Sequence, residues 1–314
     1  MTACSYRAST ISRIAGGQRG IALIQVLILS VVLSVLLLSM NHQARQHLKL
    51  AEAVKSYTQA NFALHSAESE IIFTLLSNEP YKLVQDKTGA DNWNFHGVPF
   101  AFDNVDVTIH DTSGLINASS PDPFLIINFF ANQAGNGALG RQFVAALGDW
   151  QDKDNEQRLD GAELADYPDG AIRNGPVQYT EEWLMVKGMT PDAYQHIAPL
   201  LTFFTQGVNL NQQPEAVWRL YMSEDKVRQL SQLRREGKLT PELFSLISGI
   251  EVDEFNRFSA GPGYKIGFTV KNANVRLSRE LTLRLMPFQQ QPFDIYEYRL
   301  RNLPTDTLHA ASMD

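Results

Sequence analysis

The hydrophobic pattern separates the start of the chain from everything that follows. Residues 21–40, IALIQVLILSVVLSVLLLSM, have no charged side chain and consist mainly of Leu, Ile and Val. Twenty helical residues extend about 30 Å, which is enough to cross the hydrocarbon of a bilayer. The pattern therefore predicts a transmembrane helix over residues 21–40.

The same helix is predicted to continue well past the apolar run. Residues 41–77 contain neither Pro nor Gly, and apolar side chains recur at helical spacing, as at Ala44, Leu48 and Ala51. Pro80 disfavours a helical conformation in the residue before it, so the helix is expected to end just ahead of it. One helix of about 55 residues, half apolar and half amphipathic, is unusual in a globular enzyme.

Strand patterns lie on both sides of a long helical region. Val105, Val107 and Ile109 alternate with polar residues, and residues 264–270 and 275–285 alternate across an Asn-rich turn, as in an antiparallel hairpin. Residues 295–300 predict a further strand. Between these regions the pattern is helical, with segments expected at residues 141–150, 180–187, 191–204, 214–221, 225–235 and 241–247. The economical interpretation is an α+β protein whose small antiparallel sheet is interrupted by an inserted helical domain.

Charge is distributed unevenly along the chain. The formal net charge is −7, but residues 1–20 hold three arginines and no acidic residue. The remainder therefore carries 24 basic and 34 acidic groups, a net charge of −10. Arg13 and Arg19 precede the apolar run, so the positive-inside rule places residues 1–20 in the cytoplasm and the chain after Met40 across the membrane. This acidity gives no reason to expect a nucleic-acid partner. Cys4, the only cysteine, excludes an internal disulfide and a Cys-rich metal site.

Three interpretations compete for the apolar segment: a cleaved signal peptide, a plain signal anchor, and a prepilin-like leader followed by its helix. The third is favoured because Arg19-Gly20 stands directly before Ile21 and resembles the processing site of type IV pilin-like proteins. That resemblance implies cleavage between Gly20 and Ile21 by a prepilin peptidase and methylation of the new amino terminus at Ile21.

The fifth residue of the processed chain is expected to be Gln25, where pilin-like proteins usually carry Glu. An uncompensated carboxylate in hydrocarbon costs several kcal/mol, so a subunit with no neighbour above it is better without that charge. One class of pseudopilin characteristically lacks this Glu. The alternative explanation is a neutral replacement of Glu by Gln, since the two side chains have nearly the same shape.

An acidic loop is the densest candidate for chemistry. With Asp152 as position 1, acidic residues fall at positions 3, 5, 9 and 12, which are the offsets of an EF-hand calcium loop. Oxygen ligands without His or Cys favour Ca²⁺ over zinc or copper. The Gly required at position 6 is replaced by Gln157, so the prediction is a calcium loop of related but different geometry. A solvated acidic loop is the alternative. The predicted ligands are Asp149, Asp152, Asp154, Asp160 and Glu163.

Two further motifs are better explained by packing than by ligand binding. Gly135, Gly137 and Gly140 form a GxGxxG match, but no second parallel strand is expected after it, so a flexible loop is favoured over a dinucleotide site. Residues 182–191 resemble a helix-hairpin-helix or SAM-like turn in which Gly188 adopts a left-handed conformation and Thr190 caps the next helix. The seven histidines show no metal-ligand spacing, and no catalytic set is predicted.

Taken in order, these motifs resemble one family, the K-type minor pseudopilins of type II secretion systems (general secretion pathway protein K). The resemblance is carried by the processing site without Glu at mature position 5 and by a series of short motifs: Asp111-Thr-Ser-Gly114-Leu-Ile-Asn117, Asp149-Trp150-x-Asp152-x-Asp154, Gly161-Ala162-Glu163, Tyr167, residues 181–201, and Val208-Asn209-Leu210-Asn211. Two departures, Ser119 and Gln212-Gln213-Pro214, affect local loop geometry.

The resemblance implies a pilin-like fold with a large inserted SAM-like helical domain and structural Ca²⁺ in the acidic loop. The implied organisation is a prepilin leader at 1–20, a transmembrane helix at 21–40, the spine helix and first strands at 41–119, the inserted domain at 120–258, the C-terminal strands at 259–301 and a tail at 302–314.

The implied function is a non-enzymatic minor pseudopilin that initiates and caps the pseudopilus for protein export across the outer membrane. Expected partners are the I- and J-type minor pseudopilins, other pseudopilins, the prepilin peptidase, and the secretin or exported cargo. The expected location is the bacterial inner membrane, with a single span and a periplasmic C-terminal domain. Alternatives from other classes are a membrane-anchored periplasmic metal-dependent hydrolase and a stand-alone calcium-binding anchor or adhesin.

Overall fold

The computed structural model describes residues 19–85, 93–205, 207–253, 256–272 and 275–302, with the backbone alone at residues 19–22, 81, 85, 169, 271, 272, 275, 301 and 302. The chain divides into two compact units, Met1–Tyr57 and Thr58–Asp314. The predicted leader up to residue 18, the hairpin turn at 273–274 and the predicted tail from residue 303 lie outside the described residues.

Helix α1 (Arg19–Ser77) confirms the predicted long helix. Its most apolar 18-residue window has a mean hydropathy of 2.7, and by length and composition it is the one helix in the described ranges apolar enough to cross a membrane. Val26, Leu33 and Leu36 are among its many exposed apolar side chains. A stretch that is apolar on all faces and unburied by its own chain is typical of a lipid-facing segment.

A five-stranded antiparallel sheet forms the core of the second unit. The strands are β1 (Phe100–Phe102), β2 (Val105–Asp111), β7 (Gly263–Asn272), β8 (Val275–Leu285) and β9 (Phe293–Asn302), in the order β1-β2-β7-β8-β9. The register pairs Ile109 with Ile266 and Ile266 with Leu281, so each strand turns its apolar residues to the same face. The strands predicted from alternation at 105–110, 264–270, 275–285 and 295–300 are therefore confirmed.

The last five turns of α1 cover that apolar face. Ala60, Leu64, Ala67, Ile71 and Leu75 recur every three or four residues and are buried in one cluster with the sheet. A short helix, α2 (Pro80–Gln85), follows after the break at Pro80. The packing explains why the polar half of α1 keeps an apolar stripe.

An ion pair joins the helix to the sheet. Arg279 Nη1 on β8 lies 2.6 Å from Glu68 Oε2 on α1, and their side chains are only 9% and 13% exposed. The Arg279 guanidinium also lies over the Tyr298 ring, 5.6 Å from its centroid. Two long charged side chains held this far from water restrict how the helix can slide along the sheet.

The inserted segment leaves the sheet after β2 and returns at β7. Its helices are α3 (Pro123–Ala134), α4 (Gly137–Gln151), α5 (Pro191–Ile197), α6 (Glu215–Trp218), α7 (Glu224–Arg235) and α8 (Pro241–Ser248). Short parallel pairs join β3 (Ile116–Asn117) to β4 (Leu201–Thr202), and β5 (Val208–Asn209) to β6 (Asn256–Arg257). The segment has its own cores, one around Phe143, Trp150 and Trp183 and one around Trp218 and Phe244.

Some predicted helices are shorter than the sequence pattern indicated. The segment predicted at 191–204 is helical only to Ile197, and then becomes a 3₁₀ turn at Ala198–Leu200 and strand β4. Pro199 explains the break, since a proline inside a helix removes a donor and clashes with the preceding turn. The segment at 180–187 is a 3₁₀ turn over Thr180–Leu184. The segment at 214–221 forms only α6, whereas α4, α7 and α8 confirm their predictions.

The turn at Gly188 has the predicted packing role, whereas the GxGxxG match is not the flexible loop that was predicted, because Gly137 and Gly140 lie within helix α4. Gly188 has φ +99°, and Thr190 Oγ1 accepts a hydrogen bond from the N–H of Ala193, which caps α5. Gly135 ends α3 with φ +65°, and Asn136 caps α4, so the GxGxxG match is the turn of a helical hairpin. A Cβ on Gly140 would lie 2.6 Å from Ile127 Cα, so this glycine is needed for the close approach of α3 and α4.

Asp111 holds together the two ends of the insertion. This fully buried carboxylate accepts hydrogen bonds from the N–H of Ser113, from Asn209 Nδ2 and from the N–H of Gly261, each at 2.8 Å. Asp111, the last residue of β2, is therefore hydrogen-bonded to Gly261, which lies two residues before β7 begins. Gly114 is required nearby, because a Cβ there would collide with the backbone of Gln212.

Candidate functional site

Helix α4 places Asp149 inside the inserted segment. Asn136 caps the start of the helix by accepting from the N–H of Ala138, and the helix ends at Gln151. Asp149 lies two residues before that end, in the buried last turn that also contains Trp150, and it is 0% exposed. A buried carboxylate must be paired or hydrogen-bonded, so the loop that follows has to fold back onto it.

The acidic loop does fold back and encloses the Asp149 carboxylate. Asp149 Oδ2 accepts a hydrogen bond from the N–H of Ala162 at 2.8 Å, and both of its oxygens accept from the N–H of Arg158. Gly161 is needed for this approach, because a Cβ there would collide with the same carboxylate. The backbone of the loop is therefore organised around a single charged side chain.

Three of the five predicted calcium ligands come together. One carboxylate oxygen from each of Asp149, Asp152 and Glu163 lies within 4.8 Å of the other two. Both oxygens of Glu163 and Oδ1 of Asp152 are buried without a hydrogen-bond partner. Burial, followed by the nearby charges of Asp149 and Asp152, raises the pKa of Glu163 above its ordinary value.

The other two predicted ligands lie elsewhere in the loop. Asp154 is exposed, and its Oδ1 accepts from the N–H of Glu156 at 2.9 Å in a local turn. Asp160 is exposed and has φ +65°, so it occupies the left-handed position that lets the loop reverse before Gly161. Neither residue belongs to the group of three.

The role of Arg158 was not predicted from the sequence. Its Nη1 donates to Asp149 Oδ1 at 2.6 Å and also to Asp152 Oδ2. These hydrogen bonds raise the pKa of Arg158 above its ordinary value. The loop thus supplies its own cation to two of the three carboxylates. The Arg158 side chain is 48% exposed, so it has room to swing into solvent if another cation enters.

Neighbouring ion pairs hold the loop against the rest of the insertion. Asp166 Oδ2 accepts from the N–H of Glu163, and Asp166 Oδ1 lies 2.6 Å from Lys187 Nζ. Glu182, which is 1% exposed, accepts two hydrogen bonds from the Arg173 guanidinium at 2.5 and 2.7 Å. Bidentate pairs of this kind fix orientation as well as charge.

The predicted processing residues lie on α1. The backbones of Gly20 and Ile21 belong to the helix, which begins at Arg19. Gln25 is exposed on the same helix, within the apolar stretch. The residues that would form the leader before Arg19 lie outside the described part of the chain.

The elements described above make up a pilin-like fold, in which the apolar helix α1 precedes a small antiparallel sheet that carries a large helical insertion. The chain superposes on a chain from the crystal structure of the GspK–GspI–GspJ complex of the enterotoxigenic Escherichia coli type 2 secretion system with a TM-score of 0.53. That match has 17% sequence identity and covers 81% of this chain and 99% of the other. It supports the fold.

Sequence comparisons give a second, independent similarity. Residues 121–206, which include the acidic loop, match the family model described as type II secretion system (T2SS), protein K. The chain is 27% identical over 216 residues to the type II secretion system protein K of Klebsiella pneumoniae, covering 62% of this chain and 66% of the relative. Over the inserted segment and much of the rest of the chain, the protein is thus similar to protein K of type II secretion systems.

Proposed function

We propose that this protein is a minor pseudopilin of a type II secretion system. The observation that carries the proposal is the combination of helix α1, apolar at its start and packed on the sheet at its end, with an insertion that matches protein K. The proposed role is in assembly of the pseudopilus and includes no catalytic step.

The apolar start of α1 supports a single-pass anchor in the bacterial inner membrane. Arg19 and the two arginines before it favour a cytoplasmic leader, which leaves the sheet and the insertion in the periplasm. A prepilin peptidase would cut between Gly20 and Ile21, and Ile21 would then carry the methylated amino terminus.

Two features favour a position at the tip of the pseudopilus. The insertion adds about 150 residues to a small sheet domain and would hinder continuous stacking of subunits. Gln25 removes a carboxylate that only a neighbour above it would neutralise, and an unpaired carboxylate in hydrocarbon is costly. A subunit with both features is suited to initiating and capping a filament for protein export.

The proposed partners are I- and J-type minor pseudopilins, because the similar solved structure is a GspK–GspI–GspJ complex. Contacts with other pseudopilins, and at the tip with the secretin or exported cargo, follow from the same role. No nucleic-acid partner is proposed, in keeping with the acidic composition.

Two measurements test this function. Intact-mass analysis of protein from bacterial membranes should give an amino terminus at methylated Ile21, and a retained Met1 would rule out prepilin-type processing. Affinity purification of the tagged chain co-expressed with the I- and J-type proteins of its own system should recover all three in one complex. The major pseudopilin expressed alone with the tagged chain is the control. Equal recovery of every pseudopilin would contradict a specific tip complex.

We propose calcium as a structural ion in the acidic loop. The support is the chemistry of the donors: Asp149, Asp152 and Glu163 offer hard oxygen ligands, and Glu163 has two buried oxygens without partners. When bound, the ion would neutralise this cluster. The protein would position the ligands itself, with Asp149 at the end of α4 and Asp152 and Glu163 at the two ends of the loop that follows.

A matched pair of variants tests the ion. In calcium, Asp152→Asn should lower the melting temperature relative to wild type, and the two proteins should differ less in chelator. Asp154→Asn changes an exposed carboxylate outside the group of three and serves as the control. A wild-type melting temperature that does not respond to calcium would refute the proposal.

A further inference from the structure

A cavity lies where the insertion joins the sheet. It has a volume of about 200 Å³, and it is lined by residues from the start of the insertion, from the segment after β4 and from strands β7, β8 and β9. Sites for drug-sized ligands usually occupy roughly 300–1,000 Å³, so this cavity is sized for a smaller group. Its lining residues are Thr112, Ser113, Phe203, Phe204, Thr205, Gly263, Arg284 and Tyr296.

Arg284 provides a cation in this cavity. Its Nε is buried and makes no hydrogen bond, and its guanidinium forms no ion pair with any residue that the structure describes. Its cross-strand neighbour Asp294 instead accepts a hydrogen bond from Gln291 at 2.7 Å. The nearby Asp111 carboxylate already has three donors of its own. A partly buried guanidinium with unsatisfied donors is stabilised by binding an anion whose oxygens accept hydrogen bonds from it.

A β-bulge directs an aromatic ring to the mouth of the cavity. Thr282 pairs with Glu297 and Leu283 with Ile295, so Tyr296 is the extra residue between them on β9. The Tyr296 ring stacks on Phe204 with centroids 4.2 Å apart and an interplanar angle of 12°. Bulges that turn one side chain toward a site are common beside functional pockets.

The geometry points to a binding site for a carboxylate group attached to a small apolar or aromatic body. The Arg284 fork matches the two oxygens of a planar carboxylate, and the hydroxyl of Thr112 adds a donor. Phe203, Phe204 and Tyr296 form an apolar wall that suits the attached group better than a fully charged inorganic ion. The carboxylate belongs either to a free organic acid or to the end of a polypeptide. This site is separate from the acidic loop and from the proposed assembly role.

A chemical-protection experiment on the full chain in detergent micelles tests the site without a mutation. Phenylglyoxal modifies accessible guanidinium groups, and mass spectrometry locates them. Sodium benzoate should slow modification of Arg284 at least fivefold relative to sodium chloride. Arg276, an exposed arginine on the same strand, is the internal control and should be unchanged. Equal rates at Arg284 with and without saturating benzoate would overturn the proposal.

Variants then test which groups recognise the anion. Arg284→Gln should weaken benzoate binding at least tenfold by titration calorimetry, whereas Arg276→Gln should stay within twofold of wild type. Arg284→Lys keeps the charge but not the planar fork and should fall between them. Tyr296→Leu should weaken binding, and Tyr298→Leu, which alters a ring on the helix-facing side of β9, should not. Unchanged affinity in folded Arg284→Gln would also overturn the proposal.

Three probes separate the sources of the group. A short peptide ending in phenylalanine with a free carboxylate should bind if a polypeptide terminus is the ligand, and its amide should not. Binding of benzoate alone supports a free organic acid. Equal binding of the acid and amide peptides, or binding of inorganic phosphate without benzoate, would contradict carboxylate recognition.

Discussion

Replacing Arg158 with Gln should destabilise the acidic loop in the absence of calcium. The guanidinium is the only cation that contacts Asp149 and Asp152 among the described residues, and the change removes its charge while keeping much of its length. Asp149 would then be a fully buried carboxylate held only by backbone N–H groups, with two further carboxylates close by.

The contacts set the expected magnitude. Removing one partner of a fully buried pair costs about 3–5 kcal/mol. Here the Arg158 side chain is 48% exposed, so solvent screens part of its interaction, and Asp149 keeps its bonds from the N–H groups of Arg158 and Ala162. We therefore expect a loss of about 2 kcal/mol, or about 4–8 °C in melting temperature for a unit of this size.

Thermal unfolding in chelator, followed by tryptophan fluorescence, measures this loss. Trp150 is adjacent to Asp149 and packs edge-to-face against Tyr167, so the loop contributes to the signal of the four tryptophans. Calcium should stabilise Arg158→Gln more than wild type, because the ion no longer competes with an internal cation. Arg141→Gln, an exposed change on α4, is the control. If both variants melt alike in chelator, Arg158 does not neutralise the cluster.

Three further outcomes are expected. Gly161→Ala should lower the free energy of unfolding by about 1–3 kcal/mol, because its Cβ would meet the Asp149 carboxylate, and urea unfolding measures this change. Burial, followed by the charge of Lys265, lowers the pKa of His110 to about 4. Since the unfolded histidine titrates near 6.5, its contribution is complete above that pH, and on the order of 3 kcal/mol should be lost as the pH falls from about 6.5 to about 4. Glu68→Gln should cost about 3 kcal/mol by leaving the Arg279 charge buried without its partner, again by urea unfolding.

Each of these has a control within the chain. Gly175→Ala places its Cβ no closer than 3.8 Å to other atoms and should be nearly neutral. His110→Asn should reduce the acid loss of stability without abolishing it, because burial also lowers the pKa of His96, to about 3, whereas a profile identical to wild type would remove His110 as a source. Asp225→Asn breaks the exposed pair with Arg228 and should change stability by less than about 1 kcal/mol. A Glu68→Gln effect equally small would mean that the buried pair adds no stability.

Local patterns were sufficient to predict most of the framework. Alternation at Val105, Val107 and Ile109 fixes which face of β2 is buried, and absence of Pro and Gly after Ile21 allows a helix through Ser77. The grouping of Asp149, Asp152 and Glu163 agrees with the sequence pattern, because Asp152 and Glu163 stand at the first and last positions of an EF-hand-like loop and Asp149 lies about one helical turn before Asp152.

Interactions between distant residues were not predictable from local patterns. The position of Arg158 in the sequence does not indicate that its guanidinium contacts the Asp149 and Asp152 carboxylates. Pro199 should have been recognised as ending α5, because a proline cannot continue a helix at that position. The bulge at Tyr296 depends on the register between β8 and β9, which a single sequence does not specify.

The position of the insertion has a consequence for how this chain can evolve and fold. Strands β2 and β7 are adjacent and antiparallel, and Asp111 at the end of β2 pairs with Tyr264 near the start of β7. The whole insertion therefore stands where a hairpin would have its connecting loop. The entropy of closing a loop rises only logarithmically with length, and doubling the loop adds about 0.6 kcal/mol. Domains of very different size can therefore be exchanged at this point with little effect on the sheet. During synthesis, however, β2 emerges about 150 residues before β7, so the edge of β2 that pairs with β7 stays unpaired until the whole insertion has been made.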